Sequence, residues 1–239
     1  MSSSSVNPVR TEWVEIAPGF SGYLALPPAS HGPGLVLWQE IFGVNGHIRA
    51  VAEQYALDGF VVLAPDVFWR GATRVDLGYE GEDRQRGIAL MQAVTPAFAA
   101  ADIAATVGAL RARPEVRGGK VGGIGYCMGG RLAYSAAAAG AIDAAVAYYG
   151  GGIHTQLDQA PRITCPIQFH YAALDDHIPP SAVQAVREAM AGKQAEVLVY
   201  AGAEHGFNCW SRASYHAPSA ALAHGRALAF LAQHLMFGA

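Results

Sequence analysis

The run Lys120-Val121-Gly122-Gly123-Ile124-Gly125-Tyr126-Cys127-Met128-Gly129-Gly130-Arg131-Leu132 constrains the fold more than any other stretch of the chain. An apolar strand has to end inside it and an alanine-rich helix, Gly130 to Ala138, has to begin. Gly-Tyr-Cys-Met-Gly therefore reads as a nucleophile elbow with cysteine where serine usually sits. Glycines flank the cysteine because the turn presses the strand end against the helix start, leaving no room for a Cβ, and because its tip often demands a positive φ. Cys127 is expected to project alone toward a cleft, at a helix N-terminus whose unpaired N–H groups favour thiolate over thiol. On these five residues alone a bland reading stays open, that of an ordinary strand-to-helix turn holding a small buried cysteine. An acid and a histidine further along are needed to decide.

The chain around the elbow alternates strand and helix. Glu12 to Ile16 and Gly22 to Leu26 flank Pro18-Gly19, as in an antiparallel hairpin at a sheet edge. Gly34 to Trp38 and Phe60 to Ala64 are continuous apolar runs of strand length, expected where helices cover both faces of a sheet. Between them Asn45 caps a helix whose inner face is Ile48, Val51, Ala52 and Tyr55. Phe68 to Glu82 has no period and forms a long connection placed to lie over a site. Helices follow near Asp83 and from Thr95-Pro96 to about Arg113. Beyond the elbow come strands at Ala144 to Tyr149, Thr164 to Tyr171 and Ala195 to Tyr200, with helices at Ser181 to Ala191 and Ala217 to Phe237. This order predicts a mostly parallel, doubly wound α/β sheet with its site loops at the carboxyl ends of the strands.

At 239 residues, 52% of them hydrophobic, the chain can fill the core of one large domain, taken as 11–239 after a polar tail over 1–10. Sixteen basic and 19 acidic residues are spread without a basic run, which argues against nucleic acid as a partner. Cys127, Cys165 and Cys209 form neither a CxxC pair nor an even set, so a reducing, cytoplasmic setting suits them better than a disulfide framework. The opening Met-Ser-Ser-Ser-Ser lacks the apolar core of a secretory signal, and the longest weakly polar stretch, Leu132 to Tyr149, is broken by Gly140 and Asp143. No membrane association is expected.

Two strand ends after the elbow supply its missing partners. One is followed by Leu174-Asp175-Asp176-His177-Ile178-Pro179, the other by Gly202-Ala203-Glu204-His205-Gly206-Phe207. Nucleophile, acid, histidine is the chain order of the α/β-hydrolase arrangement. A thiol needs a base within hydrogen-bond reach and a group that fixes the tautomer of that base. His205 is the natural base, and either Asp175 or Asp176 can orient it. His170, Asp175, Asp176, His177 and His205 also permit a metal-cluster reading, but no HExxH-like spacing supports it and a metal has no need of an elbow cysteine. No metal and no cofactor are expected.

These residues resemble the dienelactone hydrolase (carboxymethylenebutenolidase) family of α/β-hydrolases, from about Gly22 to the last helix. The resemblance is carried by Gln39-Glu40-Ile41-Phe42-Gly43-Val44-Asn45, Pro65-Asp66, Arg84-Gln85-Arg86, the cysteine elbow, Tyr148-Tyr149-Gly150, Asp176-His177 with Pro179, and Gly202 with His205 and Phe207. It implies a catalytic triad of Cys127, Asp176 and His205, with the Glu40 carboxylate on the resting thiol until substrate displaces it. It also implies oxyanion donors at the backbone N–H groups of Ile41 and Met128. The implied substrate is a small ester or lactone, carboxymethylenebutenolide first among them, with a broader carboxylesterase or thioesterase and a non-catalytic ligand-binding relative as alternatives. The implied particle is a monomer or small homo-oligomer. Where the family holds a substrate carboxylate with two arginines, Arg86 matches the first, but Cys209, beside Asn208 and Trp210, stands at the second. Leu90 and Ala93 replace pocket aromatics. Losing one such charged partner costs about 1–3 kcal/mol. Arg212 is a candidate to swing in. Arg86, Cys209 and Trp210 are therefore the candidate substrate-binding residues, although Cys209 and Trp210 read more readily as anchors of their loop on the core.

Overall fold

The computed structural model describes residues 8–237. Residues 1–7, most of the expected tail, lie outside the described residues, and Arg10 already opens the first strand. Strands β1 (Arg10–Ala17) and β2 (Phe20–Leu26) form the antiparallel hairpin expected around Pro18-Gly19. β2 then pairs antiparallel with β4 (Val61–Pro65). β3 (Gly32–Trp38), β4, β5 (Val116–Tyr126), β6 (Ala144–Tyr148), β7 (Ile167–Ala172) and β8 (Ala195–Tyr200) are parallel. The eight strands lie in the order β1-β2-β4-β3-β5-β6-β7-β8.

Among the described residues six α-helices cover the sheet: α1 (Gly46–Leu57), α2 (Gly81–Ala93), α3 (Pro96–Arg111), α4 (Met128–Ala138), α5 (Pro180–Ala189) and α6 (Ala217–Leu235). The two-residue period of a strand decides which face each one takes. A Cβ at Gly122 would meet Leu231 and Leu235 of α6, whereas one at Gly34, in register with Val121, would meet Leu110 of α3. α6 and α3 therefore lie on opposite faces. Tyr55 of α1 packs on His224 of α6 at 5.1 Å, which puts α1 on the α6 side. Caps fall where the sequence puts them. The Asn45 side chain accepts from the Ile48 N–H at 3.2 Å, and the Thr95 hydroxyl accepts from the Phe98 N–H at 3.2 Å.

Two features go beyond the sequence reading. β5 begins at Val116 rather than Lys120, passing through Gly118 and Gly119 at φ +79° and +68°. The segment between β6 and β7 holds two 3₁₀ turns, Ile153–Thr155 and Leu157–Arg162. Among the described residues no single helix is long and apolar enough to cross a membrane.

Candidate active site

Four strand ends converge on the site. β5 delivers Cys127 on a backbone at φ 55°, ψ −114°, outside the regions an L-residue ordinarily occupies. Such a residue stores roughly 1–3 kcal/mol of strain and persists only where its surroundings hold it. Here the Cys127 N–H is fixed to the Tyr148 carbonyl at 3.0 Å. Close approach explains the flanking glycines: a Cβ on Gly125 would overlap the backbone of Gly129, and one on Gly129 would overlap the carbonyls of Trp38 and Gln39. The positive φ expected of a glycine falls instead on the cysteine itself.

β8 delivers His205 and β7 the carboxylate. His205 Nδ1 lies 2.9 Å from Asp175 Oδ2, with the Asp175 side chain wholly buried. The other Asp175 oxygen accepts the backbone N–H groups of His177 (2.9 Å) and Ile178 (3.1 Å). Asp176, the acid expected from the resemblance, is thus displaced from the role by its neighbour. Its side chain is 79% exposed and faces His177 at 3.5 Å. The reason is local: Asp175 collects the N–H groups two and three residues on, while the third residue after Asp176 is Pro179, which has none.

With Nδ1 on Asp175, Nε2 is the nitrogen left to face Cys127. Burial alone would lower the His205 pKa, but the hydrogen bond to Asp175, the nearby Cys127 side chain and the negative charges of both outweigh it and raise it. The ring is further enclosed by Tyr149 and His177, each with its centroid 5.0 Å away. Tyr149 is itself at φ 34°, and its buried hydroxyl has no hydrogen-bond partner.

β3 delivers Glu40, buried to 1% exposure. Its Oε1 accepts from Arg212 Nη1 at 3.2 Å, an ion pair that the resemblance did not imply. Burial raises the Glu40 pKa against the opposing charges of Arg212 and His205. Arg212 reaches the site across Gly206, at φ +82°, where any Cβ would strike the guanidinium. It lies near the rings of Phe42 (5.7 Å) and Tyr79 (5.8 Å). The connection over Phe68 to Glu82 does lie over this loop. Leu77 N–H donates to Phe42 O at 3.0 Å, and Asn45 Nδ2 donates to Leu77 O at 3.3 Å and to the Tyr79 hydroxyl at 3.0 Å.

The remaining candidates divide. Met128, the first residue of α4, has a backbone N–H without an acceptor in its own helix. Ile41 sits in the loop after β3, with Gly87 of α2 packed on its carbonyl. Arg86, one residue before Gly87, is exposed. Cys209 is corrected from a substrate contact to a core residue: it is fully buried, and burial together with the Glu40 charge pushes its thiol up to about 12. Trp210 is 46% exposed and packs edge-on against His47 at 4.2 Å. The metal-cluster reading does not assemble, because both His170 nitrogens are taken in the core, by the Tyr200 hydroxyl (2.8 Å) and Gln168 Oε1 (2.7 Å).

A mostly parallel sheet whose strand ends bring an elbow cysteine, a buried carboxylate and a histidine together in that chain order has the architecture of the α/β-hydrolases. Within that class the chain belongs to the dienelactone hydrolase family, whose model matches residues 20–235. It is 35% identical over 215 residues to the carboxymethylenebutenolidase of Pseudomonas putida, covering 89% of this chain and 91% of that one. It is 29% identical over 214 residues to carboxymethylenebutenolidase 1 of Cupriavidus pinatubonensis, covering 89% and 91%. A Klebsiella pneumoniae protein whose crystal structure bears a provisional dienelactone hydrolase name superposes with a TM-score of 0.79 at 29% identity, covering 94% of this chain and 99% of that one. The chain is a hydrolase of the dienelactone type.

Proposed function

We propose that the protein hydrolyses a small ester or lactone through a covalent Cys127 acyl-enzyme, with His205 as base and Asp175 as its orienting carboxylate. The observation that carries this reading is the position of His205, hydrogen-bonded to Asp175 through Nδ1 and electrostatically coupled to Cys127 beside it. The thiol proton passes to Nε2 and sulfur attacks the carbonyl carbon. The resulting oxyanion is held by the N–H groups of Met128 and Ile41. The alkoxide departs with the proton from His205, and water, deprotonated by the same ring, releases the acid. For a lactone, acid and alcohol leave as one hydroxy acid.

The pairing of Glu40 with Arg212 favours an anionic substrate, with carboxymethylenebutenolide the leading candidate. A substrate carboxylate competes for the guanidinium, which restores the cation missing at position 209 and frees Glu40 to turn toward the thiol.

The test follows a chromogenic ester and a dienelactone by absorbance. Cys127→Ala is expected to abolish turnover of both, and a thiol alkylator to do the same unless substrate protects. Unchanged turnover in Cys127→Ala would remove the nucleophile; a wild-type protein that binds these compounds and turns over none is a binding relative. Arg212→Gln is expected to raise KM about tenfold for the carboxylated substrate and little for the neutral ester.

A further inference from the structure

A second concavity lies along the elbow helix. Between α3 and α4 runs an open crevice of about 670 Å³, inside the ~300–1,000 Å³ range of small-ligand sites. Its apolar walls include Ala100, Ile103 and Ala104 of α3, Leu132 of α4 and Ala139, which caps α4. Its polar lining is Arg131, Arg162, Gln156, Gln159 and Ser135, and no Asp or Glu lines it. Elsewhere Arg49, Arg70, Arg111, Arg113 and Arg212 each pair with a carboxylate. Among the described residues the guanidinium groups of Arg131 and Arg162 have no hydrogen-bond or ion-pair partner.

Two further details give the crevice a built character. Arg131 is half-buried, its Nη1 3.0 Å from where a Cβ on Gly152 would sit; at that position φ is +84°. Gln159 Nε2 donates to Gln156 Oε1 at 3.2 Å, which steadies the two amides at the start of the second 3₁₀ turn. Unpaired guanidinium groups beside apolar walls complement one kind of small molecule: a carboxylate head for forked N–H donors and a hydrocarbon body for the alanine, isoleucine and leucine surface.

We propose that this crevice binds an amphipathic carboxylate, with its chain between α3 and α4 and its head group on Arg131 and Arg162. The crevice touches the candidate active site only through Met128. The proposal therefore stands apart from the proposed reaction.

Isothermal titration calorimetry with octanoate, octanol and acetate tests it, with short chromogenic ester hydrolysis as the control for an intact fold. Octanoate is expected to saturate one site, with octanol and acetate at least tenfold weaker. Arg131→Gln combined with Arg162→Gln should weaken octanoate at least tenfold, and Ala104→Trp should abolish its binding by filling the crevice, both leaving ester hydrolysis unchanged. The proposal is overturned if octanoate shows no saturable binding, if octanol binds equally well, or if these substitutions leave binding untouched. It is also overturned if light scattering shows that a second copy of the chain fills the crevice, as a dimer that Ala104→Trp dissociates and octanoate does not.

Discussion

The choice between Asp175 and Asp176 turns on one backbone atom. Asp175 Oδ1 is held by two N–H groups, leaving Oδ2 aimed at His205 Nδ1. Asp175→Asn keeps the shape but presents the histidine with the wrong partner, so kcat should fall about 10²–10⁴-fold. Asp176→Asn, on an exposed side chain, should change kcat less than about twofold. Steady-state hydrolysis by the two variants checks both, and equal losses would mean that the acid is misplaced. The signal was present in the sequence, since Pro179 denies Asp176 the second N–H, yet it is a matter of turn geometry rather than residue type. Arg212 shows the opposite limit. Nothing in its neighbours along the chain announces that it crosses Gly206 to reach Glu40, 172 residues away.

At the scale of elements, the strands and helices that position the site were legible because each has one strong cause. β3 and β4 are uninterrupted apolar runs, α1 carries Asn45 at its start, and α3 has Thr95 followed by proline. The segments read less well are those whose order comes from side chains reaching across the fold. The stretch after β4 has no period because Asp66, Asn45 and the Phe42 carbonyl hold it, and the 3₁₀ turns before β7 are too short to show one. The elbow joins both kinds. Its glycine pattern is local, but the partners that demand it, the Trp38 and Gln39 carbonyls, head the separate loop that carries Glu40. Gly129→Ala therefore has to push two elements apart. It should cost about 2–3 kcal/mol, which lowers Tm by about 4–12 °C in a chain of this size, and should slow ester hydrolysis as well. Thermal unfolding followed by circular dichroism reads the first effect; an unchanged Tm would show that the β3 loop yields freely.

Across the whole molecule, the buried histidines set how stability responds to pH. His47 is 4% exposed, and burial, then the nearby Arg212 charge, lowers its pKa to about 4. His170, in the core between Tyr200 and Gln168, is lowered to about 3 by burial and then by Arg226. Both are neutral in the folded protein and take up a proton on unfolding once the pH drops below about 6.5. The unfolded state then binds more protons than the folded one, so stability is fully present above 6.5 and falls as the pH falls toward 4. At about 1.4 kcal/mol per pKa unit, His47 alone contributes a loss on the order of 3 kcal/mol by pH 4. His224 and His234, also lowered, act in the same direction. His205, raised, acts in the other, favouring the fold below 6.5 and losing that contribution as pH rises through its folded value. Carboxyls raised by burial, Glu40, Asp58 and Asp66, offset part of the loss at the acid end. The His47 share can be isolated, because neither of its ring nitrogens has a hydrogen-bond partner to lose. His47→Phe keeps the edge contact with Trp210 and removes the titrating group. Urea-unfolding midpoints between pH 8 and pH 5 should fall less steeply for that variant than for the wild type, and parallel profiles would mean that His47 is already satisfied by water in solution.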